Sequence, residues 1–345
     1  MKPLIVPFFI SHQGCPRHCV FCNQRTISGQ GGDLPGSEEM RAAIAAAASG
    51  KGRRVEVAFY GGTFTSLPLS DQRRLLEPLQ PMLASGEITG VRLSTRPDAV
   101  DGETARFLRA HRVTTVELGV QSMDDRVLTA AGRGHGAAAT ERAFAFLKGA
   151  GIAVGAQLMP GLPGDTAETS LESLQRVLVL GPAFLRIYPT VVVAGTELAE
   201  LWRRGSYSPM ELDRAVSLCA LMLRVATGAG VPVIRIGLQA TAELEAPGTV
   251  LAGPWHPAFR QLVEGELWRE LLFSLTVDIP EGSEVKLACA PARISDVVGQ
   301  RRRNLERLAT ERGLTVARVV ADPQCSPFEL KISYSGGTVA GSLFP

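Results

Sequence analysis

Short apolar runs rich in β-branched residues recur at 4–10, 55–60, 91–95, 115–120, 152–159, 184–188 and 231–236, each bounded by turn residues. Segments with helical periodicity separate them. Ser37 followed by Glu38 and Glu39, and Ser70 followed by Asp71, offer a capping hydroxyl and negative charge at the positive end of a helix dipole. Further helical patterns cover 103–109, 137–149, 167–180 and 209–227. Parallel strands need a crossover, most often a helix, so this alternation predicts an α/β fold. The expectation is a partial (β/α) TIM-like barrel of six to seven parallel strands over residues 1–240, with a small C-terminal α+β domain.

The pattern changes after residue 240. A stretch rich in Gly and Pro at 241–268 reads as a connector, with Trp255 and His256 expected to pack between domains. Residues 269–345 form the small domain, with apolar runs at 271–277, 284–288, 315–321 and 328–333 around one basic helix at 294–311. The 345 residues carry a formal net charge of +2, which tolerates a nucleic-acid partner without announcing one. No apolar run is long enough to span a bilayer, and the run at 4–10 ends at Ser11 and His12 rather than at a small-residue cleavage site. The expected location is the cytoplasm.

Cysteine placement supplies the chemistry. Of six cysteines, Cys15, Cys19 and Cys22 fall within eight residues, whereas Cys219, Cys289 and Cys325 are scattered and read as buried thiols. A 4Fe-4S cube takes one thiolate per iron, so three ligands leave one iron open to another molecule. The spacing leaves two other readings: a zinc site completed by His12 or His18, or a loop without metal. Zinc sites usually pair their cysteines as two CxxC hooks, which this sequence lacks. Other candidates follow predicted strand ends: Gly61, Gly62 and Thr63, then Ser94, Gln121 and Gln157. In a parallel barrel such positions share one rim. Arg133, in a Gly132-Arg133-Gly134-His135 turn, suits a carboxylate through bidentate pairing. His12 and His135 are weaker candidates.

The CxxxCxxC spacing with Phe21 before the last cysteine resembles the signature of the radical S-adenosylmethionine (SAM) superfamily. The resemblance implies a 4Fe-4S cluster on Cys15, Cys19 and Cys22 that cleaves SAM reductively to a 5'-deoxyadenosyl radical, drawing electrons from an external donor. It also implies that Gly61 and Gly62 receive the amino group of SAM, that Gln121 and Gln157 line the adenosine side, and that Arg133 meets the methionyl carboxylate. Within the superfamily, the runs at 59–64, 94–98, 117–122, 159–164 and 187–198 resemble the catalytic subunit of Elongator and, more distantly, the oxygen-independent coproporphyrinogen oxidases. Elongator subunits usually carry Glu where Ser94 stands, so Ser94 or Thr95 is expected to substitute for that SAM contact. The sequence given also lacks the acetyl-CoA-binding loop of that family, so the chain is not expected to complete an acetyl-CoA-dependent tRNA uridine modification alone.

The tail offers a substrate clue. The segment 297–308, with Arg301, Arg302 and Arg303, resembles the glycine loop and following helix of a KH RNA-binding module, although Arg302 replaces the second loop glycine. RNA, by family tRNA, is therefore the expected partner. The alternatives are a non-catalytic RNA-binding or cluster-sensing protein and a porphyrin-type or small-molecule radical oxidase.

Overall fold

The computed structural model describes residues 3–15, 19–23, 33–48 and 54–344. Pro16, Arg17 and His18 lie outside that set, as does the stretch 24–32. The described chain forms two compact units, one of residues 1–211 with 231–255 and one of 212–230 with 256–345.

The first unit contains strands β1 (Leu4–Phe9), β2 (Val55–Tyr60), β3 (Gly90–Thr95), β4 (Val113–Gln121), β5 (Ala153–Leu158) and β6 (Phe184–Ile187). After these come β7 (Val192–Val193), β8 (Val233–Ile236) and β9 (Val250–Ala252). Seven of the strands make one sheet in the order β1-β2-β3-β4-β5-β6-β8, with every adjacent pair parallel. This curled half-barrel is the predicted TIM-like partial barrel. The antiparallel pair β7 and β9 forms a separate ribbon. Outward-facing strand residues such as Val57, Leu93, Val116, Leu118 and Leu185 are fully buried, as expected where helices cover a parallel sheet. The helix at Ala167–Val179 shows how local sequence fixes an end: Thr166 and Thr169 make a reciprocal capping box.

The second unit contains β10 (Glu284–Cys289), β11 (Thr315–Ala321), β12 (Glu329–Tyr334) and β13 (Gly337–Ser342), in the order β11-β10-β12-β13. Its core joins Trp268 and Leu272 to Val285, Leu287, Val297, Leu308, Leu330 and Ile332.

Three expectations change here. The run 271–277 belongs mostly to the helix Phe259–Leu275, because Val263, Leu267, Trp268 and Leu272 are buried at helical rather than alternating spacing. That helix and the short elements Ala242–Glu245 and β9 occupy the stretch read as a connector. The expected basic helix at 294–311 is two helices, Ile294–Val298 and Arg303–Arg312, broken where Gly299, Arg301 and Arg302 adopt φ of 75°, 52° and 64°. Among the described residues, no helix is long and apolar enough to cross a membrane.

Candidate active site

The cysteine loop leaves the end of β1 and is held by the turn after β2. His12 N–H donates to the Gly61 carbonyl at 2.9 Å, and Thr63 N–H donates to the Gln13 carbonyl at 3.0 Å. The approach is close: a Cβ on Gly62 would lie 2.4 Å from the Ile10 carbonyl oxygen and 2.5 Å from that of Gln13. One on Gly14 would lie 2.3 Å from the Thr63 carbonyl oxygen. Gly62 therefore admits the backbone of the cysteine loop, a different task from admitting a ligand. Gly62→Val is expected to displace the loop and lower iron uptake together with SAM affinity. Iron analysis after anaerobic reconstitution checks this, and full iron with normal SAM binding would show that the loop tolerates the clash.

Cys19, Val20 and Phe21 pack against Val127, Ala131, Leu162, Leu198 and Tyr207. Val20 is also tied by backbone, its N–H to the Ala131 carbonyl and its carbonyl from the Leu198 N–H. Two guanidinium groups face the Cys19 sulfur: Arg133 Nη1 at 3.1 Å and Arg96 Nη1 at 4.0 Å. The Thr63 hydroxyl lies 3.4 Å from Cys15 Sγ. All six cysteines are free thiols. Among the described residues, no three Cys, His, Asp or Glu side chains converge as a metal-ligand group, so the three thiols of the loop share a cavity rather than a common point.

That cavity has a volume of about 680 Å³ and is lined entirely by the first unit. It gathers Cys15, Cys19, Phe21, Cys22, Gly61, Gly62, Thr63, Ser94, Gln121, Arg133 and Gln157, with His12 beside them. Gln157 Nε2 donates to Gln121 Oε1 at 3.2 Å, and Gln121 reaches this position through a register shift in β4, at φ 68°. Ser94 borders the cavity, whereas the hydroxyl of Thr95 is turned to that of Thr65 at 2.6 Å.

Arg133 is also engaged within the protein. Only 5% exposed, it spends Nη2 on the Gly119 carbonyl at 2.6 Å and Nη1 on Cys19, leaving Nε buried without a hydrogen-bond partner. Two of its five N–H groups are thus used within the protein, and Nε–H and one N–H on each terminal nitrogen remain. His135 lies outside the cavity lining, and burial with the Arg133 charge lowers its pKa to about 4.

Sequence reasoning passed over the charged interior. Glu117, 6% exposed, accepts from the Tyr60 hydroxyl at 2.9 Å and pairs with Arg92 at 3.2 Å and Arg186 at 2.7 Å. Arg92 also pairs with Glu56 at 2.6 Å, and Arg186 Nη1 donates to the Tyr188 hydroxyl at 2.9 Å. Burial and the adjacent Glu117 charge raise the pKa of the Tyr60 phenol, keeping it protonated as a donor. The missed signal was a charge recurring at inward positions of otherwise apolar strands.

Comparison with known proteins fits this geometry. The sequence model for the Radical SAM superfamily matches residues 9–177, and that for the Radical_SAM C-terminal domain matches residues 182–269. The chain belongs to the radical SAM superfamily. It is thereby placed among radical SAM enzymes. It is 29% identical over 185 residues to a tRNA uridine(34) acetyltransferase of Methanocaldococcus infernus, covering 48% of this chain and 35% of that protein. It is 32% identical over 192 residues to Elongator complex protein 3 of Schizosaccharomyces pombe, covering 49% of this chain and 35% of that one. The chain thus spans about a third of the length of these relatives. The structure of Methanocaldococcus infernus Elp3 with an N-terminal deletion superimposes with a TM-score of 0.62 at 22% identity, over 78% of this chain and 63% of that one, a likeness of fold.

Proposed function

We propose that this radical SAM protein uses a 4Fe-4S cluster on Cys15, Cys19 and Cys22 to cleave SAM reductively to a 5'-deoxyadenosyl radical, in order to modify RNA, with tRNA as the substrate class. The observation that carries the reading is the meeting, in one cavity, of three free thiols with residues from successive parallel strand ends. The donor set fits: soft sulfur ligands suit iron-sulfur chemistry, and the guanidinium groups of Arg133 and Arg96 complement anionic sulfur at Cys19. When bound, the cluster supplies the electron that breaks a carbon–sulfur bond of SAM, and an external donor replenishes it.

The chain's own residues do the rest. Gly14 and Gly62 let the thiol loop seat against β2, and Phe21 closes the apolar side of the cavity. Gln121 and Gln157 present linked amides to the adenosine side of SAM, and Gly61, Thr63 and Ser94 border its amino-acid side. Arg133 holds Cys19 through Nη1 and keeps Nε–H and the second N–H of each terminal nitrogen for a ligand. Support for tRNA comes from the relatives, whose names specify tRNA uridine. In the second unit, Arg303 pairs with Asp213 at 3.0 Å. Arg301 and Arg302 are exposed and make no ion pair among the described residues. Both hold the left-handed conformation that favours glycine, and Arg302 does so at the position of the second KH-loop glycine. These two, rather than all three arginines, are the phosphate contacts of the reading.

The test is anaerobic turnover of reconstituted protein with dithionite, SAM and tRNA from cells lacking it, followed by 5'-deoxyadenosine assay and nucleoside mass spectrometry. Arg301→Ala with Arg302→Ala is expected to weaken tRNA binding and reduce the salt slope by about two units. An unchanged slope would remove the loop from the RNA surface. Full cluster without 5'-deoxyadenosine would favour a binding protein, and turnover indifferent to RNA would favour a small-molecule substrate.

A further inference from the structure

Four arginines line the cavity, and the structure accounts for three of them. Arg96 pairs with Asp98 at 2.8 Å, Arg133 donates to Cys19 and the Gly119 carbonyl, and Arg186 pairs with Glu117. The fourth, Arg235 on β8, is partly buried and makes no side-chain hydrogen bond, ion pair or ring contact among the described residues. Its position is costly. Arg235 stands beside Arg186 in the sheet register, so two guanidinium groups occupy neighbouring strands on the cavity face, and Glu117, the one acidic lining residue among the described ones, is already committed to Arg186 and Arg92. Like charges side by side on a sheet oppose folding, and a partly desolvated guanidinium without an anion loses hydration that none of the described residues returns. A ligand anion would return it.

Strand order indicates which ligand. The residues assigned to the cluster and SAM come from the ends of β1 to β5 and the turn carrying Arg133, whereas Arg235 lies on the terminal strand β8, beyond β6. Gln239 and Thr241, which also line the cavity, follow it directly. This sector is free for substrate.

We propose that Arg235 receives a phosphate of the substrate nucleotide and so positions the base in the cavity. The inference rests on the RNA reading above for the source of the phosphate. The relevant chemistry is a charge-assisted, bidentate guanidinium–phosphate contact, with the Gln239 amide at its edge.

The experiment compares binding of uridine 5'-monophosphate, uridine and total tRNA to the reconstituted full chain, as wild type, Arg235→Ala and Arg235→Lys. Iron content and SAM affinity serve as folding controls, since no described protein group loses a partner in either variant. Wild type is expected to prefer the monophosphate over uridine by about tenfold to a hundredfold, the value of one hydrogen-bonded charge. Arg235→Ala should erase that preference and reduce the tRNA salt slope by about one unit, and Arg235→Lys should retain part of each. Identical behaviour of Arg235→Ala and wild type toward both monophosphate and tRNA would overturn the proposal. Acetate displacing the monophosphate as well as inorganic phosphate does would also overturn it, reassigning the arginine to a carboxylate. The two readings separate cleanly. An Arg235-dependent monophosphate preference without any tRNA response keeps this site and rejects RNA as substrate, whereas tRNA modification indifferent to Arg235 does the reverse.

Discussion

Glu117→Ala is expected to destabilise the protein by about 3 kcal/mol, toward the low end for breaking a buried ion pair because the cavity admits some water. The carboxylate answers Arg92 and Arg186 and accepts the Tyr60 hydroxyl, and the two arginines are 13% and 19% exposed at their side chains. Removing it leaves Arg186 with only two phenol hydroxyls and Arg92 with Glu56 alone. A loss of this size is a large part of the 5–15 kcal/mol typical of a folded protein. Urea unfolding of the full chain measures it. Glu117→Gln should lose less, because the amide oxygen still accepts from Tyr60. A change below about 0.5 kcal/mol for Glu117→Ala would mean that solvent already screens the network.

Cys15→Ala, Cys19→Ala and Cys22→Ala are each expected to reduce bound iron from about four per chain to nearly none, because a cube held by two protein thiolates has two open irons. Activity should vanish with it. Cys19→Ala should have a second effect, since Arg133 Nη1 and Arg96 Nη1 then face a methyl group inside a buried pocket. It should therefore be the least stable of the three. Replacement of Cys219, Cys289 or Cys325 should leave iron intact. Cys219 is fully buried, and burial drives its thiol pKa far upward, while burial raises that of Cys289 to about 11. Both stay protonated and are poor ligands. Iron loss on replacing any of these would point to a second metal site, and four irons retained in Cys19→Ala would remove that residue from the cluster.

The parallel barrel was legible because its strands are short, β-branched and separated by helical periodicity, so local and long-range signals agree, although Ser70 lies inside its helix behind Pro68 and makes no cap bond. The thiol loop and strand-end residues were legible as motifs. Two classes of feature were not. Glu117, Arg92 and Arg186 each look like a surface charge in one dimension, and only the register that sets Ser94 beside Glu117 and Gln157 beside Arg186 brings them to the same face. In the tail, the run 271–277 has the composition of a strand but is drawn into a helix by Trp268 and Leu272, which fill the core beneath β10 and β12. Tertiary packing overrode local propensity there. The break at Gly299 was visible as a glycine and that at Arg302 only through the KH-loop resemblance, but the left-handed backbone of Arg301 had no sequence signal.

The seating of the thiol loop also dictates an order of assembly. The bonds from His12 to Gly61 and from Thr63 to Gln13 join positions about fifty residues apart, and neither can form until β2 has docked in register on β1. Closing a loop of that length has an entropic cost that local structure cannot recover, so the contact forms late relative to the helices. The cysteine loop consequently gains its shape only after the first parallel pair is in place. Iron delivered before that pairing would meet thiols whose neighbours His12 and Gln13 are not yet anchored, and iron delivered after it would meet them anchored. A cluster on these thiols would therefore be inserted after β2 has docked on β1.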